Sequence, residues 1–435
     1  MRGVCMATSN LVEQDAPQQK DLDKCVHCGL CLNACPTYRE IHLEMDSPRG
    51  RIFQMKQVQE GAPVTDFYRR HIDLCLACRG CESACPSGVP YGRLIEAARA
   101  DIEQKTHRPL GARLLRRFVF ETLLPSRALL SLTGTAMHFY QSSGLQRFVR
   151  GSGILREFGK LGELEPLAPP VESPFFFRQI GRVFPAQGER RYRVALMAGC
   201  IANVFFARLN EATVRVLQAN GCEVTIPASQ TCCGALHVHA GLREPARKLA
   251  RKNIDAVLEG GFDAILTNAA GCGSTLKEYH ELLEHDSQYA DRAVRFTSLM
   301  KDVTEFLASI ELRPPQRELQ AKVTYQDSCH LAHGQRVRSA PRELIRKIPG
   351  VTFKEMPLSD VCCGSAGIYN ITENEMSMAV LKKKMASVNS TRAERIVTAN
   401  PGCMLQLRAG VEQHGHGQTV SHVIELLDEA YRASG

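Results

Sequence analysis

The sequence predicts a multi-domain α+β protein, with a mainly helical, cysteine-rich N-terminal domain followed by two duplicated α/β units. Three observations carry this prediction. Two cysteine runs of identical spacing fall within residues 19–110, a basic segment without cysteine fills 111–190, and within 191–435 a set of cysteines recurs at an offset of 129 to 131 residues.

With 435 residues, 44% of them apolar, the chain can fill two or three domain-sized cores. It carries 18 cysteines and no tryptophan. That cysteine density suits a disulfide scaffold only in a short secreted protein, and Met1 to Lys20 has neither a continuous apolar stretch nor a small-residue cleavage signature. A reduced, cytoplasmic chain is therefore expected, in which dense cysteines bind metal or do redox work. No stretch reaches the ~18 consecutive apolar residues of a transmembrane helix. The formal charge of +8 is uneven: residues 1–110 hold 14 Lys+Arg and 14 Asp+Glu, residues 111–190 hold 11 and 6 (net +5), and the remaining +3 lies beyond. Nucleic-acid binding would concentrate far more charge on one element, beside stacking aromatics or a reading motif, so no nucleic-acid partner is expected.

Residues 1–18 are polar, contain Pro17, and are expected to fray. The domain at 19–110 holds Cys25-x2-Cys28-x2-Cys31-x3-Cys35-Pro36 and Cys75-x2-Cys78-x2-Cys81-x3-Cys85-Pro86. This is the run of bacterial two-cluster ferredoxins, in which three close thiolates hold three irons of one 4Fe-4S cubane and the fourth cysteine reaches to the other. Cys25, Cys28, Cys31 and Cys85 are thus the expected ligands of one 4Fe-4S cluster, and Cys75, Cys78, Cys81 and Cys35 of the second. The proline after each fourth cysteine turns the chain and removes an N–H that would need a partner. Zinc motifs usually come as two pairs separated by about a dozen residues or more, not as an evenly spaced triplet. His27 reads as a loop residue near the first cluster. Arg49 and Arg51 read either as charges that favour a reduced cluster or as solvated side chains at a helix start.

In the segment 111–190, Leu114, Leu115, Phe118 and Val119 interleave with Arg113, Arg116 and Arg117 at helical spacing, and Leu123, Leu124, Leu129 and Leu130 follow. Such a basic amphipathic helix can lie on an anionic membrane face or dock a partner. The alternative is a helix packed on the following units with its arginines in solvent. Pro166, Pro169, Pro170 and Pro174 then read as a linker. Gly151-Ser152-Gly153 lacks the third glycine of a dinucleotide fingerprint, so no flavin is expected on this chain.

The duplicated units span 191–312 and 320–435. In the first, 31 residues separate Cys200 from Cys232-Cys233-Gly234 and 38 separate Cys233 from Cys272; in the second, 32 separate Cys329 from Cys362-Cys363-Gly364 and 39 separate Cys363 from Cys403. Apolar runs at Arg193–Ala198, Asp263–Thr267, Lys322–Gln326 and Arg395–Thr398 end just before cysteine loops and alternate with helical patterns, which implies a mostly parallel sheet with sites beyond its carboxyl edge. Each unit therefore offers four converging thiols, suited to a cluster, a zinc ion or a redox-active thiol pair. Cys222 reads as a small buried apolar residue, and Cys5 lies in the tail.

These units resemble the cysteine-rich CCG-domain proteins, whose fullest form ends in C-x2-C and, in heterodisulfide-reductase-type subunits, holds unusual iron-sulfur clusters. Here Thr275 and Gln406 stand where the last cysteine would be, which weakens a substrate-disulfide chemistry. Over residues 21–435 the whole pattern resembles the iron-sulfur subunits of bacterial glycolate oxidase, in Cys25-Val26-His27-Cys28-Gly29, Pro48-Arg49-Gly50-Arg51-Ile52, Cys85-Pro86-Ser87-Gly88-Val89, Cys232-Cys233-Gly234-Ala235 and Cys362-Cys363-Gly364-Ser365-Ala366-Gly367. The resemblance implies an electron-transfer component of an oxidoreductase complex, with FAD on partner subunits that oxidise glycolate to glyoxylate. It also implies electrons handed on toward membrane quinone from a chain peripherally associated with the cytoplasmic membrane, and makes the CCG units candidates for further iron-sulfur clusters. Subunits of L-lactate, D-lactate or glycerol-3-phosphate dehydrogenase complexes are the nearest alternatives. A CCG enzyme acting on its own substrate and a zinc-stabilised scaffold are the readings from other classes.

Overall fold

The computed structural model describes residues 15–106, 108–153, 165 and 169–432. Cys5 and residues 1–14 of the tail expected to fray lie outside that set. At Asp15 the chain is already anchored, its buried carboxylate bonded to Arg243 and Arg247 of the first duplicated unit.

The N-terminal domain is helical among its described residues. Helices Pro36–Ile41 and Pro48–Gln59 each open on proline, whose missing N–H is one of those a helix start leaves unpaired in any case. Ser47 caps the second through its hydroxyl, which accepts from the Gly50 N–H at 3.0 Å, and Thr65 caps Asp66–Asp73 in the same way. These helices and Tyr91–Lys105 close over a core of Leu22, Ile52, Met55, Ile72, Leu94 and Ile95, and the cysteine loops hang on that core.

In the basic segment, helix Leu110–Arg117 buries no residue. Leu110, Leu114, Leu115 and Phe118 point outward, 49 to 65% exposed, while Arg116 turns inward to Glu103 at 3.0 Å and to the Ala240 carbonyl. The packed-helix expectation, in which the leucines are covered and the arginines solvated, fails for these leucines and for Arg116, while Arg113 and Arg117 are exposed as it has them. The anchors come later in the segment: Phe120, Leu124 and Leu130 are buried, and the Phe120 carbonyl bonds the His237 ring at 2.6 Å.

The first unit carries β1 (Val183–Phe184), β2 (Tyr192–Leu196), β3 (Cys222–Thr225), β4 (Ala264–Thr267) and β5 (Met300–Asp302) in the order β1-β3-β2-β4-β5. All run parallel except β1, which pairs antiparallel with β3. The second unit has β6 (Ala321–Tyr325), β7 (Val351–Glu355), β8 (Arg395–Thr398) and β9 (Thr419–His422) in the order β7-β6-β8-β9, all parallel. Apart from β1 the two sheets share one topology. Sequence reading locates β2, β4, β6 and β8 from their apolar runs. It misses β5 and β9, whose Met-Lys-Asp and Thr-Val-Ser-His have no such run, and reads β1 as linker. Cys222 is fully buried in the sheet core.

The units pack as near-mates across a pseudo-twofold. Helix Ala207–Ala219, after β2, lies on Val423–Tyr431 of the second unit, and reciprocally Ser339–Arg346 lies on Val303–Ala308. Both contacts feed one apolar core that includes Leu209, Val216, Leu344, Leu426 and Leu427. Arg215 seals one of them with two bonds of 2.8 Å to buried Asp428. Because the symmetry is internal, the cysteine-bearing ends of the two sheets face each other.

Candidate iron-sulfur centres

The eight N-terminal cysteines separate by burial. Cys75, Cys78, Cys81 and Cys35 are buried, whereas Cys25, Cys31 and Cys85 are half-buried and Cys28 is exposed. The fourth cysteine of each run thus sits in the environment of the other run's triplet. Cys35, Cys75, Cys78 and Cys81 line one small cavity together with Arg51 and Tyr91, and Cys25, Cys31 and Cys85 pack at the margin of the helical core.

Both triplet loops adopt the same strained backbone. His27 and Gly29 have φ of 54° and 86°, and Ala77 and Arg79, at the same positions of the second run, have 51° and 62°. Three of the four are not glycine, so the loop holds a conformation that side chains disfavour, as binding loops do where backbone N–H groups must point inward. The Ala77 N–H already points at the Cys75 sulfur, 3.4 Å away. His27 is a loop residue in the first cysteine run, its carbonyl accepting from Arg49 Nη1 at 2.9 Å. Arg49 reaches out to Glu44, whereas Arg51 is fully buried, bonded to the His71 carbonyl at 2.6 Å, Thr37 Oγ1 at 3.1 Å and Asp46 at 3.3 Å. Burial works against the Arg51 charge, yet Cys75, Tyr91, Cys35 and Asp46 together hold it firmly protonated.

The two sets of duplicated cysteines open onto one shared space. All eight, Cys200, Cys232, Cys233, Cys272, Cys329, Cys362, Cys363 and Cys403, line a single cavity of about 250 Å³ between the units. Sulfurs approach to 3.5 Å in Cys200–Cys232 and 4.0 Å in Cys329–Cys362, too far for disulfides. Among the described residues no three His, Cys, Asp or Glu groups converge as on a single metal ion; the thiols stand around spaces instead. A hydrogen bond with Cys362, burial and the charges nearby push Cys363 up to about 12, and burial pushes Cys31 up to about 11. Thiols crowded in this way ionise together only when a cation shares them, which is the chemistry of a metal-thiolate centre. The donor sets therefore fit iron-sulfur clusters.

The Cys-Cys-Gly turns are braced from behind. In the first unit, Asn253 donates to the Cys232 carbonyl at 3.0 Å and the Tyr279 hydroxyl donates to the Cys233 carbonyl at 2.8 Å. In the second, Gln406 donates to Ser377 Oγ at 2.9 Å, and Ser377 donates to the Gly364 carbonyl at 2.9 Å. Gln406, at the position of the family's fifth cysteine, thus buttresses the turn. Sequence reading misses Asn253, Tyr279 and the buried Lys384. Aligning the repeats at the 131-residue offset of the fourth cysteine would have set Lys384 opposite Asn253.

One junction joins the two kinds of site. Cys78 and Leu76 pack in a buried group with Cys329, Cys362 and Tyr369 of the second unit. Around it the Tyr369 hydroxyl donates to the Leu74 carbonyl at 2.8 Å, the His330 ring bonds the Ala77 carbonyl at 3.0 Å, and Ser83 bonds His333 at 2.8 Å.

Family models match along the chain: a 4Fe-4S dicluster domain over residues 21–89, the linker region of glycolate oxidase iron-sulfur subunits over 111–168, and a cysteine-rich domain twice, over 194–277 and 323–408. A probable glycolate oxidase iron-sulfur subunit of Bacillus subtilis is 43% identical over 417 residues, 94% of either chain, and the glycolate oxidase iron-sulfur subunit of Escherichia coli is 34% identical over 423 residues, also 94% of either. The chain belongs to the glycolate oxidase iron-sulfur subunit family. As a member of that family it carries iron-sulfur clusters and is an electron-transfer subunit of an oxidoreductase complex. Lactate utilization protein A of Oceanobacillus iheyensis is more distant, 29% identical over 237 residues, 54% of this chain and 96% of its own.

The two Cys-Cys-Gly glycines make a comparison possible. Gly234 (φ 84°) has only ordinary contacts where a Cβ would stand, whereas at Gly364 (φ 97°) that atom would lie 2.5 Å from the Ser377 carbonyl oxygen. Gly234→Ala should cost about 1–2 kcal/mol of backbone strain, and Gly364→Ala clearly more, in thermal melts of the two variants side by side.

Proposed function

We propose that this chain takes electrons from FAD subunits that oxidise glycolate and passes them toward membrane quinone. In this reading Cys25, Cys28, Cys31 and Cys85 hold one 4Fe-4S cluster, and Cys75, Cys78, Cys81 and Cys35 the other. The observation that carries it is the division of the N-terminal cysteines into a surface foursome and a buried foursome, with the buried one packed on the CCG cysteines. When bound, such clusters supply one-electron chemistry without a free coordination position. The protein's part is to hold them in register, keep water from the inner set and leave the outer one within reach of a donor.

The surface around Cys28 supports the entry point. Val26 and Leu30 of its own loop, Leu43 and Met45 beside Glu44, and Phe53 are all exposed, by 46 to 68%. The Arg49 bridge between the His27 carbonyl and Glu44 draws these segments together. An apolar patch rimmed by polar groups marks a protein-binding face, here the docking site of a flavin subunit. The opposite requirement, reach toward a lipid-dissolved acceptor, is met by the outward leucines of Leu110–Arg117 with Arg113 and Arg117 among them. Among the described residues no helix is long and apolar enough to cross a membrane.

Three outcomes test this. Cys28→Ser in the assembled complex should abolish acceptor-linked turnover while glycolate still bleaches the partner flavin; a flavin that no longer bleaches would refute the division of labour. Arg51→Gln should lower the midpoint potential of the buried cluster by on the order of tens of millivolts, since the lost charge favoured the reduced form, with Arg49→Gln moving it less in the same redox titration. Leu114→Glu with Leu115→Glu should release the chain from anionic vesicles in sedimentation, and unchanged sedimentation would discard the membrane face.

A further inference from the structure

The two CCG units place different groups behind their cysteine pairs. Helices Arg243–Val257 and Asn374–Ser390 are equivalent, and where the first carries Asn253 the second carries Lys384. Lys384 is 3% exposed. Its ammonium donates to the carbonyls of Leu358 at 2.7 Å and Ser359 at 3.1 Å, in the loop that leads to Cys362. Among the described residues no carboxylate stands within ion-pair distance of it: Asp327 is taken by Arg342 at 2.7 Å, and Asp360 faces Arg338 at 3.5 Å. Burial works against its charge, and Cys363, Cys362, Asp327 and Asp360 act to hold the proton on it. In the first unit the equivalent side chain is the neutral amide of Asn253, which donates to the Cys232 carbonyl at 3.0 Å.

A buried ammonium without a counter-charge is costly, and proteins keep one where an anion compensates it. Four thiolates around a metal centre are such an anion; four neutral thiols are not. We propose that Cys329, Cys362, Cys363 and Cys403 hold an anionic iron-sulfur centre whose counter-charge is Lys384, and that the second unit therefore binds an electron at higher potential than the first. Lys384 is a positioning residue: it adds one fixed positive charge, which favours the form carrying one more electron. Cys78 packs in one buried group with Cys329 and Cys362, which sets this unit's cysteines against a buried N-terminal one. The inference rests on the electron-transfer reading above and makes the duplicated sets unequal in role.

The test uses the full chain reconstituted with iron and sulfide. Cys362→Ser should lose iron and acid-labile sulfide relative to the parent chain; an unchanged content overturns the proposal. Lys384→Gln should keep its iron and show, in a redox titration followed by electron paramagnetic resonance, reduction of that centre disfavoured about tenfold, about 59 mV for one electron, with Lys384→Arg restoring the parent value. Iron lost from a folded Lys384→Gln chain and regained in Lys384→Arg would equally support the counter-charge. A potential unmoved by Lys384→Gln with iron intact overturns it. The mirror change Asn253→Lys should raise the potential of the first unit. None of these readouts involves a hydroxy acid or a partner subunit, so a wrong substrate leaves the inference standing, and its failure leaves the assignment of the complex untouched.

Discussion

The organisation of this molecule depends on one junction, the seating of the Leu74–Ser83 loop on the second CCG unit. Tyr369 and His330 bind the carbonyls of Leu74 and Ala77, the residues just before Cys75 and Cys78, and His333 binds the Ser83 side chain. The first two satisfy carbonyls of the strained cysteine loop, the third holds the end of the short helix Gly80–Ser83, and together they fix Cys78 against Cys329 and Cys362. Ion pairs such as Arg79 with Glu278, Arg93 with Glu284 and Lys383 with Glu40 hold the rest of the N-terminal domain on the two units. Through the junction, inner cysteines of both kinds share one interior, and the rigidity that electron exchange demands comes from packing instead of from a connecting segment.

The pseudo-twofold does the corresponding work inside the duplicated half. Helix-on-helix contacts far from the cysteines turn two equivalent sheets so that their carboxyl ends face one cavity. Duplication alone would give two copies of one site. The internal symmetry gives a shared space, and departures from symmetry then become informative, because each can be compared with an equivalent position in the same chain.

Much of this was legible in the sequence, for physical reasons that differ by region. The cysteine spacings survive translation into structure because a cluster loop is a local object: three ligands at fixed separations need little from the rest of the fold. The apolar runs of β2, β4, β6 and β8 are readable because central parallel strands are buried on both faces. Edge strands such as β5 and β9 carry mixed residues and leave no such trace. The inward turn of Arg116 was illegible for another reason: periodicity says which residues share a helix face, not which face the protein covers. The brace at Gln406 and the ammonium of Lys384 depend on tertiary contacts, and only the repeat could have flagged them.

β1 has a bearing on how such a chain reaches its fold. Two tandem units with the same strand order are each other's best wrong partners, since an open edge of one can pair with the other during synthesis. The linker spends two residues, Val183 and Phe184, to cover the β3 edge of the first unit with an antiparallel strand. The corresponding β7 edge of the second unit stays bare but presents exposed Thr352, Lys354 and Glu355. One edge is capped and the other is charged, so these two equivalent edges do not offer each other a matching pair of bare apolar strands.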